Sequence, residues 1–411
     1  MKKFHYAWII LAMATLILFC NIGLTSSAFS VYQPYLIRNF GLSNTQGSLI
    51  VTIRTLFTLP AMFICSWFFD KMGLRKGLFL TVLSITLAFL LFAVAQNDVM
   101  VYIAAAVAGF GYGLGGMIPV TLLITRWFDS NRALALGICT AGTGVCAMVV
   151  PPIFTLIAEN ISVTTAFWGE VILTLICAAL ALILLRSSPS DMGIEAYQTE
   201  ENENTKKAAA PKLERTDFLR GKTSVLFMIV MVLIGGLSGP GFSHIAVLMN
   251  SEGFAPGTVS LMVSGAGCAL MLGKLTYGRI TDRIGSYRSN WLFFGILILG
   301  LILTCLTGLH SVALGFAALF VLGFGLPLAT VGQSVWLDEL NSPETLSKKL
   351  QSMQIIYMGG TLVFSPVPGI IADKTGTYVP AYALFLVFAV GCMLIIQTIY
   401  RKKLKESEKK D

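Results

Sequence analysis

Arg54 lies inside the apolar run Leu49–Phe69, and Lys274 lies inside the apolar run Val259–Tyr277. Of the 29 Lys and Arg side chains, all the others fall in loops, in tails or near the ends of apolar runs. A full charge at the centre of a bilayer costs at least ~2.5–3.5 kcal/mol on insertion scales, so such a residue signals function before structure. Two cations, one in each half of the chain, point to a path for something negatively charged. The competing readings are a lysine that snorkels to the interface and an arginine held in a structural ion pair or bonded to freed carbonyls. Lys274 is expected some 10 Å from the inner end of its run by helix rise. Glu170 is the acid that lies clearly within an apolar run, and no partner for Arg54 is evident from the sequence.

Further polar residues sit where a cavity could use them. His244 follows Gly235-Gly236-Leu237-Ser238-Gly239-Pro240-Gly241. That stretch is expected to kink a helix and to free carbonyls. An imidazole there titrates near neutrality and could couple a proton or gate a substrate; alternatively it satisfies a freed carbonyl. It is expected about 20 Å from Lys274 along the membrane normal. Tyr112 lies in the glycine-rich run Gly109–Gly116, where close backbone packing is the plainer reading, and Gln354, Tyr357 and Thr361 share a helical spacing. These are candidate lining groups. Asp70, Arg75, Asp282 and Arg283 stand at turns between runs. They are expected to staple helix ends in one conformation and release them in another; the competing reading is solvated turn charges.

These residues must be positioned by membrane helices. The chain is 55% hydrophobic and only 12% charged, against roughly 25% charged for a soluble protein. Twelve apolar runs reach the ~20 residues a spanning helix needs, from 8–36 to 379–400. They are too continuous for barrel strands, so the expected fold class is an all-α bundle of twelve transmembrane helices. The start, Met1-Lys2-Lys3 before Tyr6–Phe19, imitates a signal peptide, but its apolar run continues to Tyr35 and reads as a retained first span. Twenty-five of the basic residues fall on the side shared by both termini, against two, Arg38 and Lys374, on the other. That bias puts both termini in the cytoplasm of a cell whose plasma (inner) membrane holds the chain. It also accounts for the net charge of +8 without nucleic acid. The eight cysteines all lie in apolar runs, which argues against a disulfide framework or a metal site. No Walker-type loop is present, so neither a cofactor nor enzymatic chemistry is expected.

The polar stretch Ser187–Ser224 divides the spans six and six. It reads as a mobile linker. The expected domains are a bundle at 1–186, a linker at 187–222, a second bundle at 223–400 and a tail at 401–411. The halves repeat. Asp70-Lys71-Met72-Gly73 returns as Asp282-Arg283-Ile284-Gly285 at a shift of 212, and Gly109-Phe110-Gly111 returns as Gly323-Phe324-Gly325 at 214. Gly142 with Pro151 returns as Gly359 with Pro368 at 217. Two related bundles are the architecture that places a midplane site between repeats.

The turn Asp70-Lys71-Met72-Gly73-Leu74-Arg75-Lys76 resembles the signature of the major facilitator superfamily between its second and third helices. The stretch Arg126-Trp127-Phe128-Asp129-Ser130-Asn131-Arg132, running on to Gly142 and Pro151-Pro152, is similar to the branch of monocarboxylate transporters and oxalate/formate antiporters. Gly273-Lys274-Leu275-Thr276-Tyr277-Gly278 resembles the place where that branch sets a carboxylate-binding cation. The branch usually has arginine there; its acidic first-helix motif and the eleventh-helix cation of some members are absent here. Met117-Ile118-Pro119 stands where branch members often place an aromatic residue before the proline. The resemblance implies a secondary transporter for a small organic anion such as lactate, pyruvate, formate or oxalate. It would work by alternating access as a monomer, with proton symport or anion exchange. A drug or neutral-solute exporter of the same fold is the alternative, though it should display an acid facing the cavity.

Overall fold

The computed structural model describes residues 5–129, 132–198 and 217–407. Outside them lie Lys2 and Lys3, Ser130-Asn131 of the fifth-span start, 199–216 of the linker and 408–411 of the tail. Among the described residues, twelve helices are long and apolar enough to cross a membrane. In the first half these are span 1 (Ala7–Ser27), span 2 (Asn44–Met72), span 3 (Leu74–Ala93), span 4 (Asp98–Trp127), span 5 (Leu134–Asn160) and span 6 (Val163–Leu184). In the second they are span 7 (Lys222–Ser243), span 8 (Pro256–Ile284), span 9 (Ser286–Cys305), span 10 (Val312–Leu340), span 11 (Lys349–Thr375) and span 12 (Val379–Glu406). No strand occurs among the described residues, only an isolated bridge from Phe128 to Tyr197. The chain divides into two compact units, Met1–Asn202 and Glu203–Asp411. All eight cysteines are free thiols.

Local sequence sets the helix ends. Ser43 and Gln46 form a reciprocal capping box at the start of span 2. The side chains of Asn97 and Ser162 accept the first free N–H groups of spans 4 and 6. Gly73 and Gly285 end spans 2 and 8 at φ of 73° and 79°, a backbone region that side chains avoid. That shared conformation, 212 residues apart, is the repeat seen in the backbone.

Contacts fix the repeat register further. A methyl group on Gly109 would lie 2.0 Å from the carbonyl oxygen of Arg54, and one on Gly323 would lie 2.3 Å from that of Ala266. Gly111 meets Ile85 as Gly325 meets Leu297. Spans 2, 3 and 4 of the first unit therefore pack as spans 8, 9 and 10 of the second. By this register Arg54 corresponds to Ala266, and Lys274 corresponds to Met62.

Four features differ from the sequence expectation. Span 1 is not uniform: its second half, Phe19–Ser27, is a π-helix, and an α-helix, Phe29–Phe40, continues it. Spans 4 and 10 are interrupted, at Gly116 and around Leu326–Ala329. In span 10, Pro327 contributes no backbone N–H and so cannot complete the ladder. The described ends of the linker are docked. Tyr197 N–H donates to Trp127 O at 2.9 Å, and its ring meets His5, Trp8 and Phe128. At the other end Phe218 N–H donates to Leu340 O at 2.9 Å, and Lys349 Nζ donates to Leu219 O at 2.7 Å. Span 12 also runs past residue 400, with Lys403 buried and donating to Glu339 O.

Candidate functional site

Arg54 is the eleventh residue of span 2, about 15 Å of helix rise from Asn44. It is 4% exposed. Its guanidinium donates to the Thr25 carbonyl in the π-helical stretch of span 1. It also lies over the Phe29 ring, 5.4 Å from the centroid. Tyr112 of span 4 is half-buried and close enough to interact with it electrostatically. None of these groups is an acid. Arg54 takes no part in the ion pairs Arg38–Glu159, Arg132–Asp129 and Arg220–Asp217. The backbone beneath it is held firmly. Thr58 Oγ1 donates to Arg54 O at 2.9 Å and bridges to Gly109 O at 3.1 Å. Asn21 secures the π stretch through Thr81 Oγ1 at 3.1 Å and Gly115 O at 3.0 Å.

In the second unit, Lys274 is half-buried on span 8. The helix continues to Ile284, so the lysine stands about 15 Å from its end, deeper than the expected 10 Å. Next to it Gly273 lets span 8 close on span 10, where an added methyl would lie 2.7 Å from Phe324 O. Span 11 presents Gln354 and Tyr357. Gln333 Nε2 donates to Gln354 Oε1 at 2.5 Å, and the Tyr357 hydroxyl meets Ser238 Oγ at 2.7 Å. Thr361 donates to Gly235 O at 2.9 Å. Thus spans 7, 10 and 11 are joined by polar side chains.

His244 is fully buried at the break between span 7 and the short helix Ile245–Ser251. Its Nδ1 lies 2.9 Å from Pro240 O, and its ring faces Tyr378 at 6.2 Å. From Pro256 to Lys274 span 8 rises about 27 Å, so His244 and Lys274 stand at different levels.

The turn residues behave unequally. Arg75 donates through Nε at 3.1 Å and through a terminal nitrogen at 2.6 Å to Leu182 O, closing the end of span 6. Asp70, Asp282 and Arg283 are exposed. Sequence reasoning missed Glu339, whose carboxylate accepts from Ser286 Oγ at 2.6 Å and Tyr400 at 2.7 Å, tying spans 9, 10 and 12. It also missed Tyr32, which donates to Glu170 at 3.1 Å. These partners lie 53, 61 and 138 residues apart in sequence, and no local spacing signals them.

Comparison with known proteins gives the lineage. The model of the Major Facilitator Superfamily matches residues 14–254 and again 241–411. Monocarboxylate transporter 12 of Mus musculus is 24% identical over 412 residues, covering 92% of this chain and 82% of its own. The agnestins efflux protein of Paecilomyces divaricatus is 24% identical over 404 residues, covering 96% of this chain and 86% of its own. The aspyridones efflux protein of Emericella nidulans is 24% identical over 285 residues, covering 68% and 54%. Twelve apolar helices, a twofold repeat and a family match across nearly the whole length make one conclusion: this multi-pass membrane protein belongs to the major facilitator superfamily of transporters.

Proposed function

We propose that this chain is a secondary transporter for a small organic anion, of the class that includes lactate, pyruvate, formate and oxalate. It works by alternating access, driven by a proton or by an exchanged anion, in the plasma (inner) membrane with both termini in the cytoplasm. One observation carries this reading: Arg54 is buried in a span with no acid beside it among the described residues. An ion removed from water costs several kcal/mol unless an opposite charge meets it. A guanidinium has five N–H donors, and the Thr25 carbonyl leaves most of them for a planar carboxylate. Lys274, in the second unit, is a further cation within a span, a point charge.

The test is uptake of labelled lactate, pyruvate, formate and oxalate into proteoliposomes, with and without a pH gradient. Truncating one partner of a buried charge pair costs about 2–5 kcal/mol, so Arg54→Gln should raise KM more than tenfold. Arg54→Lys should recover part of this, lacking the fork. Lys274→Ala should also impair uptake. Undiminished carboxylate transport in both Arg54→Gln and Lys274→Ala sinks the reading.

A second reading, export of neutral or cationic compounds, draws support from relatives named as efflux proteins at the same 24% identity. Dye extrusion from the same vesicles, without anion uptake, would favour it.

A further inference from the structure

We propose that Glu170 is the proton-binding group of this transporter and is linked to Arg54 through one face of the first helical stretch; this rests on the anion reading above. Glu170 is the eighth residue of span 6 and is 6% exposed. Its Oε1 accepts from the Tyr32 hydroxyl at 3.1 Å, while Oε2 is buried without a partner. Around Tyr32 stand the rings of Phe89, Phe154 and Phe167, at 5.8, 4.4 and 5.6 Å between centroids.

The titratable groups that bear on Glu170 are Tyr32, Cys146 of span 5 and Cys20 of the π stretch. Span 3 brings Phe89 and Phe92 against this cluster, which do not titrate. No cation bears on Glu170 among the described residues. A lone carboxylate in apolar surroundings is costly, and taking a proton removes that cost. Ser30 Oγ and both amide atoms of Gln33 are likewise buried without partners. Hydrogen-bonding capacity for a moving proton therefore continues beside Tyr32 on the same stretch.

Thr25, Phe29 and Tyr32 stand at i, i+4 and i+7, one face of that stretch. Arg54 holds the first two, and Glu170 holds the third. The rings of Phe29 and Tyr32 meet edge to face, with centroids 5.7 Å apart. Cation and acid thus both hold this stretch without touching each other.

Charge balance supplies the logic. Within the first unit and without substrate, the Arg54 cation and the Glu170 carboxylate sum to zero. When an anion binds Arg54, a proton from bulk water binds Oε2 of Glu170, and the sum is again zero. Either event alone leaves a net charge in a low-dielectric interior. Anion and proton therefore move together.

Two measurements on the full-length protein in liposomes test this. The first needs no substrate. The infrared difference spectrum between acid and alkaline pH should show a carboxylic C=O band that Glu170→Gln removes, and Tyr32→Phe should shift the pH at which it titrates. The second uses labelled lactate. Glu170→Gln should lose pH-gradient-driven accumulation, down to the level seen without a gradient, and keep lactate–lactate exchange. Glu170→Asp should keep coupled uptake with a displaced pH profile, which serves if the glutamine variant does not fold. A band unchanged by Glu170→Gln, gradient-driven uptake retained in it, or an aspartate profile identical to wild type each overturns the proposal. If wild type moves no tested anion while the Glu170 band titrates, the anion reading fails and the proton site stands.

Discussion

Asp217, on the linker just before span 7, supplies the hydrogen-bond acceptor that the helix start at Ser342 lacks. Its Oδ1 accepts from Thr345 Oγ1 at 2.5 Å and from the N–H and hydroxyl of Ser342, both at 3.0 Å. The Thr345 hydroxyl, and then the Ser342 N–H, hold its carboxyl well below the ordinary carboxylate range. A carboxyl held low in the fold contributes stability at every pH above its unfolded value. That contribution fades as pH falls below about 4, toward the depressed folded value. Wild type should therefore exceed Asp217→Asn in thermal midpoint at neutral pH, and the gap should begin to narrow below about pH 5 and go on narrowing as pH falls toward the depressed folded value. A constant gap across that range would show that charge is not the cause. At this scale the sequence exposes charges out of place, which is why Arg54 and Lys274 could be singled out. It does not expose neutral partners: nothing near Arg54 in sequence names Thr25 or Phe29, since apolar and hydroxyl residues are ordinary in a membrane span.

The helices show the same division. Their number and limits follow from apolar run length and from caps such as Ser43-x-x-Gln46. The π-helix at Phe19–Ser27 leaves no compositional mark, because the residues that widen it would also fit an α-helix. The glycines of span 4 could be read as sites of close approach, but only the packed structure says what they approach. Gly109 faces the main chain of Arg54, which cannot swing aside as a side chain would. Gly109→Ala should force spans 2 and 4 apart, lowering both the thermal midpoint in detergent and anion uptake. Gly323→Ala should do the same to spans 8 and 10. Gly295 on span 9 has open space around an added methyl. Gly295→Ala should keep or raise stability, by up to about 1 kcal/mol from helix propensity. Equal tolerance of alanine at positions 109 and 295 would mean the close approach carries no load.

Across the whole chain, the distribution of basic residues makes a topological prediction. Arg38 and Lys374 are exposed at the ends opposite Asp70 and Asp282 in their respective units. Cysteines placed at Arg38 or Lys374 should react with an impermeant maleimide added to intact cells. Cysteines at Asp70 or Asp282 should react only after the membrane is opened. The reverse pattern would invert the orientation. Duplication was visible in three recurring motifs, yet its register emerged only from matched contacts, which set Arg54 against Ala266 and Lys274 against Met62. The ancestral copies thus kept their scaffolding and parted in their ionic equipment, eight residues out of step. A chimera built from two first units would inherit two guanidinium groups and no amine, and one built from two second units the converse. Neither should replace the native chain, because the halves have specialised and are no longer interchangeable parts.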